Sequence, residues 1–202
     1  MTLRRSVGGL RGNTVLLLWT VVLLVGACGQ QPPDFRGNAL ETPVPAPDFA
    51  LMDQHGRLFQ MSEQRGQVVV LFFGYSACPD VCPTTLGAWM RVYDELGRDA
   101  QRVRFVFVTV DPERDTPELL REHLALFSPD FIGLTGTDAE LDAVYKLYGV
   151  YREKVELPDS GLGYQVTHTS SAYVIDADGN RRLRHLFGTP VEDVLHDLRQ
   201  LL

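Results

Sequence analysis

Val68-Val-Val-Leu-Phe-Phe-Gly-Tyr-Ser-Ala-Cys78-Pro-Asp-Val-Cys82-Pro-Thr-Thr-Leu86 is the stretch around which the rest of the chain is arranged. An apolar, β-branched run ends in Gly74, two cysteines follow four positions apart, each trailed by proline, and a helix-like segment comes next. An unbroken apolar strand suits the centre of a sheet buried on both faces. Chemistry in such sheets gathers beyond the carboxyl ends of the strands, where Cys78 falls. Pro83 fits the first position of a helix, where its missing N–H costs nothing. That would hold Cys82 at a helix N-terminus, whose positive dipole end favours a thiolate. The cysteine pair therefore reads as reactive or metal-binding.

Downstream, a helix is expected from about Thr84 to Arg98, with Leu86, Trp89, Met90, Tyr93 and Leu96 forming a core-facing stripe. Val103–Val110 is a second strong strand, ending in Asp111-Pro-Glu-Arg-Asp-Thr-Pro117. Thr116 and Pro117 fit a cap and first helical position for a helix over residues 118–127. Phe131–Thr135 reads as a short strand, and a helix over 138–148 has Asp138 as its candidate cap. Residues 149–166 show no clear period and read as a surface loop or irregular hairpin. Ser171–Ile175 and Arg182–Leu186 form an antiparallel pair around the turn Asp176-Ala-Asp-Gly-Asn, and a helix from Pro190 closes the chain. Upstream, Phe49–Met61 reads as a hairpin turning at His55-Gly56. Parallel βαβ units followed by an antiparallel hairpin and a helix predict a thioredoxin-like α/β domain: a central mixed sheet flanked by helices, with an N-terminal hairpin and a loop insertion before the fourth main strand.

The N-terminus has the zones of a secretory signal over residues 1–27: Arg4-Arg5, an apolar run from Val15 to Val25, then Gly26-Ala27-Cys28. That run is shorter than the ~20 residues a spanning helix needs. Val25-Gly26-Ala27-Cys28 looks like a lipobox that would lipidate Cys28, with an uncleaved short anchor as the other reading. Residues 28–47, with five prolines, read as an extended tether, and the folded domain is expected over 48–202. This places the domain in the cell envelope, on the outer (periplasmic) face of the cytoplasmic membrane. The chain carries a net charge of −7, and without Arg4, Arg5 and Arg11 the balance is 16 basic against 26 acidic residues, or about −10. Such a balance argues against nucleic acid and suits a cation or a basic protein surface.

Two cysteines cannot alone complete a tetrahedral structural zinc site, and no second cysteine pair exists. A third donor has to come from elsewhere, and the histidines compete for the role. His55 reads as a turn residue, and His123, His185 and His196 as surface or packing residues. His168 lies just before the fourth strand, a position that in a thioredoxin-like topology faces the first helix N-terminus. Spacing alone leaves open whether it joins the cysteines. Two thiolates and an imidazole suit copper, above all Cu(I), over hard oxygen-loving ions, and Cu(II) remains electrostatically plausible with the same ligands.

Gly74-Tyr-Ser-Ala-Cys78-Pro-Asp-Val-Cys82-Pro, Thr109-Val-Asp111-Pro-Glu-Arg-Asp-Thr-Pro117 and His168-Thr-Ser-Ser-Ala-Tyr-Val-Ile-Asp176 together closely resemble the SCO/SenC family in order and spacing. Members of that family are membrane-tethered, thioredoxin-like proteins that bind copper and help build the binuclear copper A site of cytochrome c oxidase. The resemblance implies Cys78, Cys82 and His168 as copper ligands. It makes Asp111 an auxiliary acid near the site, and leaves Asp80, between the cysteines, solvated. It implies as partners the copper A subunit of the oxidase and a copper donor or thiol reductant, and lipidated Cys28 would stand in for the transmembrane anchor of many relatives.

Thiol–disulfide exchange or redox sensing by Cys78 and Cys82 is the main rival, and a cell-envelope location permits it. Against it, thioredoxin-type exchangers resemble one another in a two-residue gap and a proline before the fourth strand. Here the gap is three residues, and Thr169-Ser170-Ser171 stands where the proline would be. A thiol peroxidase would have threonine where Tyr75 stands.

Overall fold

The computed structural model describes residues 1–3, 33–158 and 160–202. The signal segment, Cys28 and the first part of the tether lie outside the described residues. From Pro33 to Leu202 the chain forms one compact unit.

Strand β4 (Val68–Gly74) is buried at every position. It pairs in parallel with β5 (Val103–Thr109), and β5 pairs in parallel with β6 (Ile132–Thr135). On the other side of β4 lie β9 (Ala172–Ile175), antiparallel to β4, and β10 (Asn180–His185), antiparallel to β9. Beyond β6 come β2 (Ala50–Asp53) and β3 (Leu58–Gln60), whose hairpin turns at Gly56 with φ +73°. The eight-stranded order is completed at the opposite edge by β1 (Asn38–Pro45) on β10. This is the mixed, thioredoxin-like sheet that the βαβ order predicts.

Because successive strand side chains point to opposite faces, Phe72 and Phe73 divide the core. Phe72 meets Trp89 of α1 (Val81–Leu96), with ring centroids 6.0 Å apart. On the same face His123 of α2 (Pro117–Ala125) reaches Phe107, the neighbour of Phe72, and α4 (Val191–Arg199) packs against α1. Phe73 faces α3 (Asp138–Tyr148), meeting Tyr145, Tyr148 and Tyr173 within 5.8–6.1 Å. Both phenylalanines are fully buried, contributing roughly 1.5–3 kcal/mol apiece.

Four expectations are amended. Residues 38–45, read as tether, form an edge strand. All eight are exposed, so the strand rests on backbone pairing and leaves no apolar alternation to read; its prolines are tolerated at an edge. The preceding turn is fixed by Asp197, whose carboxylate accepts the N–H groups of Arg36 (2.7 Å) and Gly37 (2.8 Å). Of the two readings of residues 149–166, surface loop or irregular hairpin, the hairpin holds and is regular: β7 (Arg152–Leu157) and β8 (Gly163–His168) pair in register from Arg152↔His168 to Leu157↔Gly163, as a separate two-stranded sheet. Helix α3 is capped by Thr137, in a reciprocal box with Glu140, and Asp138 becomes a first-turn acid. Helix α1 begins at Val81, so Pro83 is its third residue; its missing N–H is still one of the first four that have no helical partner.

Candidate metal centre

The parallel register Val68↔Val103 to Gly74↔Thr109 brings β4 and β5 to an end side by side. Two loops therefore leave the sheet together, one carrying Cys78 and the other Asp111 and Asp115. The cysteine loop is stapled from below by Asp115, which is fully buried. The carboxylate of Asp115 accepts the Ser76 N–H (3.2 Å to each oxygen), the Ser76 hydroxyl and the Thr109 hydroxyl (2.6 Å). Burial pushes its carboxyl above the usual range, and the hydroxyl and amide donors oppose that shift.

Asp80 occupies the N-cap of α1 but makes no side-chain cap bond. The sulfur of Cys78 takes over part of that role, accepting the Cys82 N–H at 3.4 Å. Cys82, in the first turn of α1, is fully buried, and Cys78 is half-buried at the mouth. His168 ends β8. Its Nδ1–H donates to the Thr169 carbonyl (3.0 Å), which leaves the Nε2 lone pair free, 3.6 Å from the Cys82 Sγ. The ring is held edge-on by Phe72 (6.0 Å) and Tyr75 (5.8 Å). A fixed Nδ1–H bond of this kind orients an imidazole for ligation through its other nitrogen.

The ligand atoms of Cys78, Cys82 and His168 all lie within 4.8 Å of one another. With zinc bond lengths as a yardstick, a planar set of two sulfurs and one nitrogen needs separations of about 3.7–4.0 Å. The trio is thus within a small adjustment of closing on one ion. Its charge is unevenly held. Cys78 is drawn down to about 3 by the hydrogen bond from the Cys82 thiol, with burial opposing and the N–H groups of Asp80 and Cys82 helping. Cys82 is pushed up, because ionising it would give up that bond and place a second charge in a buried position. The resting pair is one thiolate and one thiol, and a soft cation would displace the remaining proton.

Asp111 does not join the trio. It is buried beneath the β7–β8 hairpin, bonded to the Arg114 Nε and to the Tyr164 hydroxyl (2.9 Å). Asp80 is exposed, as expected. His55 is exposed at its turn, His196 donates to the Asp34 carbonyl (2.9 Å), and His185 is buried against Asp197 (2.9 Å). Among the described residues the trio is the one group of three such donors placed to hold a metal ion. Sequence reasoning missed Asp115, Arg114 and Tyr164. The first two were visible only as members of the Asp111–Pro117 motif, and Tyr164 carried no signal at all.

A family model described as SCO1/SenC matches residues 38–202, beginning at the first residue of β1. The SCO2-like protein of Rickettsia felis is 38% identical over 140 residues, which make up 69% of this chain and 68% of that one. Among solved structures, Bradyrhizobium japonicum ScoI with copper bound matches with a TM-score of 0.72 at 36% identity, over 79% of this chain and 100% of that one. The solution structures of apo Sco1 from Thermus thermophilus match at 0.75 and 38% identity, over 86% and 100%.

Proposed function

The chain belongs to the SCO1/SenC family, and from that premise we propose that it binds copper through Cys78, Cys82 and His168 and delivers it during assembly of the copper A site of cytochrome c oxidase. The observation that carries this reading is the convergence of two sulfurs and one free imidazole nitrogen within 4.8 Å. The donors are soft to intermediate and three in number, a set that suits Cu(I) and can also hold Cu(II). Cys82 approaches the cargo from the buried side, while Cys78 and His168, both half-buried, line a cleft bounded by residues 78–81 and 165–168. A ligand from a donor or an acceptor protein would enter through that cleft and meet Cys78 and His168 before Cys82, so copper could pass by stepwise ligand exchange. In this reading Cys28 carries the lipid that tethers the domain to the outer face of the cytoplasmic membrane, and residues 28–32 are what remains of the spacer.

Anaerobic Cu(I) titration of the reduced protein, beside Cys78→Ser and His168→Ala, tests the proposal. Tight one-to-one binding that is badly weakened in both variants is the expected result. Weak binding, or binding indifferent to His168, would contradict it. A second reading, thiol–disulfide exchange, is favoured by one observation, the ready ionisation of Cys78 beside a protonated Cys82. Reduction of the oxidase subunit's own cysteines by this pair would be compatible with copper delivery and would persist in His168→Ala. Membrane release of a Cys28→Ser variant tests the tether separately.

A further inference from the structure

The ligand His168 sits on a sheet that does not belong to the main one. Among the described residues, strands β7 and β8 pair only with each other, and an isolated two-stranded hairpin is marginal by itself. Something outside the hairpin has to hold it over the cysteine loop. Along β8 the residues Tyr164, Val166 and His168 share one face, and that face lies on the body of the domain. Val166 is buried, and its N–H donates to the Tyr75 hydroxyl at 3.2 Å. Tyr164 donates its hydroxyl to Asp111 at 2.9 Å. The ring of Tyr164 carries two cations, with the Arg114 guanidinium 3.8 Å and the Lys154 ammonium 3.9 Å from its centroid. Each cation is tied to the loop after β5, Arg114 through Asp111 and Lys154 through Glu113 (3.0 Å). Arg114 also donates to the Tyr164 carbonyl at 3.2 Å, so one side chain grips this residue by its ring and its backbone.

We propose that Arg114 and Tyr164 are positioning residues for copper: together they lock β8 against the loop after β5 and so hold His168 at the cysteines. This deepens the copper reading above and rests on it. Arg114 makes no hydrogen bond to either sulfur or to His168; besides gripping the hairpin it lies 5.5 Å over the Tyr75 ring, which itself packs on His168, so its effect on copper runs through the placement of the imidazole. Opening the lock leaves a two-sulfur site with the imidazole withdrawn, a weaker holder of the same cargo and a route to release.

A double-mutant cycle on the full chain tests this, with Cu(I) affinity read by competition against a chromophoric chelator. Arg114→Met keeps the aliphatic stem and removes the bonds and the charge. It should weaken binding about tenfold, the scale on which partners behind a metal ligand act. In a His168→Ala background the same change should move affinity less than about twofold, because nothing remains to be positioned. Tyr164→Phe, which loses only the bond to Asp111, should give a smaller loss with the same dependence on His168, and it carries the cycle if Arg114→Met fails to fold. Equal fold-changes in both backgrounds, or none in either, would overturn the lock while leaving the ligand set standing. Indifference to His168→Ala alone would instead sink the ligand set, and the lock with it.

Discussion

Gly74 is the last residue of β4 and the point at which the sheet touches the site. A Cβ added there would fall 2.8 Å from the Cys82 Sγ, 2.8 Å from the Phe107 Cε2 and 2.8 Å from the Phe72 Cε1. Ordinary contact begins at 3.4 Å, so each neighbour would have to retreat by about 0.6 Å. None has room: Phe72, Cys82 and Phe107 are all fully buried. The backbone of Gly74 is not in the left-handed region, so the effect of Gly74→Ala is one of space alone. Overpacking a buried site in this way costs about 1–3 kcal/mol, and for a domain of this size each kcal/mol lowers the melting temperature by about 2–4 °C. One of the three crowded atoms is a ligand sulfur, so copper affinity should fall as well. Gly133→Ala supplies the control, since its Cβ would meet Leu124 at 2.7 Å, among core residues and away from the sulfurs. Thermal melts and copper titrations of both variants should show two destabilised proteins, of which only Gly74→Ala binds copper poorly. Wild-type stability and affinity in Gly74→Ala would refute the packing argument.

Ionisation of Cys78 near 3 means that its alkylation by iodoacetamide should change little between pH 5 and pH 8, with mass spectrometry finding Cys82 unmodified. A steep rise toward pH 8 at Cys78 would contradict the assignment of charge to that sulfur. Asp197→Ala strands two backbone N–H groups and the His185 Nε2, and should cost about 2–4 kcal/mol in urea unfolding and expose residues 33–37 to protease. Gly87, inside α1, has open space at its Cβ position; Gly87→Ala should raise stability by about 0.5–1 kcal/mol with copper binding unchanged.

The parts of this protein legible in its sequence are those governed by hydrophobic pattern. Strand β4, buried at all seven positions, could be read from seven consecutive residues, and α1 from the spacing of Leu86, Trp89 and Leu96. The cysteines announced themselves, and the resemblance to the SCO/SenC family brought His168 to them from 86 positions away. What the sequence left open or hid is held by polar contacts. Strand β1 is exposed throughout, and β7 pairs alternating charges with a strand in which Val166 is the one fully buried residue. Backbone pairing of that kind leaves no period in the sequence. The work of Asp115 depends on the parallel register that sets Ser76 and Thr109 over one carboxylate, which only the folded chain displays. Asp111 was placed near the chemistry correctly, but its partners, Arg114 and Tyr164, make it a support for the hairpin.

X-ray absorption at the copper edge of the Cu(I)-loaded protein tests the central claim most directly. Two sulfur scatterers and one nitrogen scatterer with imidazole outer-shell features are expected, the nitrogen disappearing in His168→Ala. A first shell of sulfur alone, or one unchanged by His168→Ala, would contradict the assignment of Cys78, Cys82 and His168 as the copper ligands.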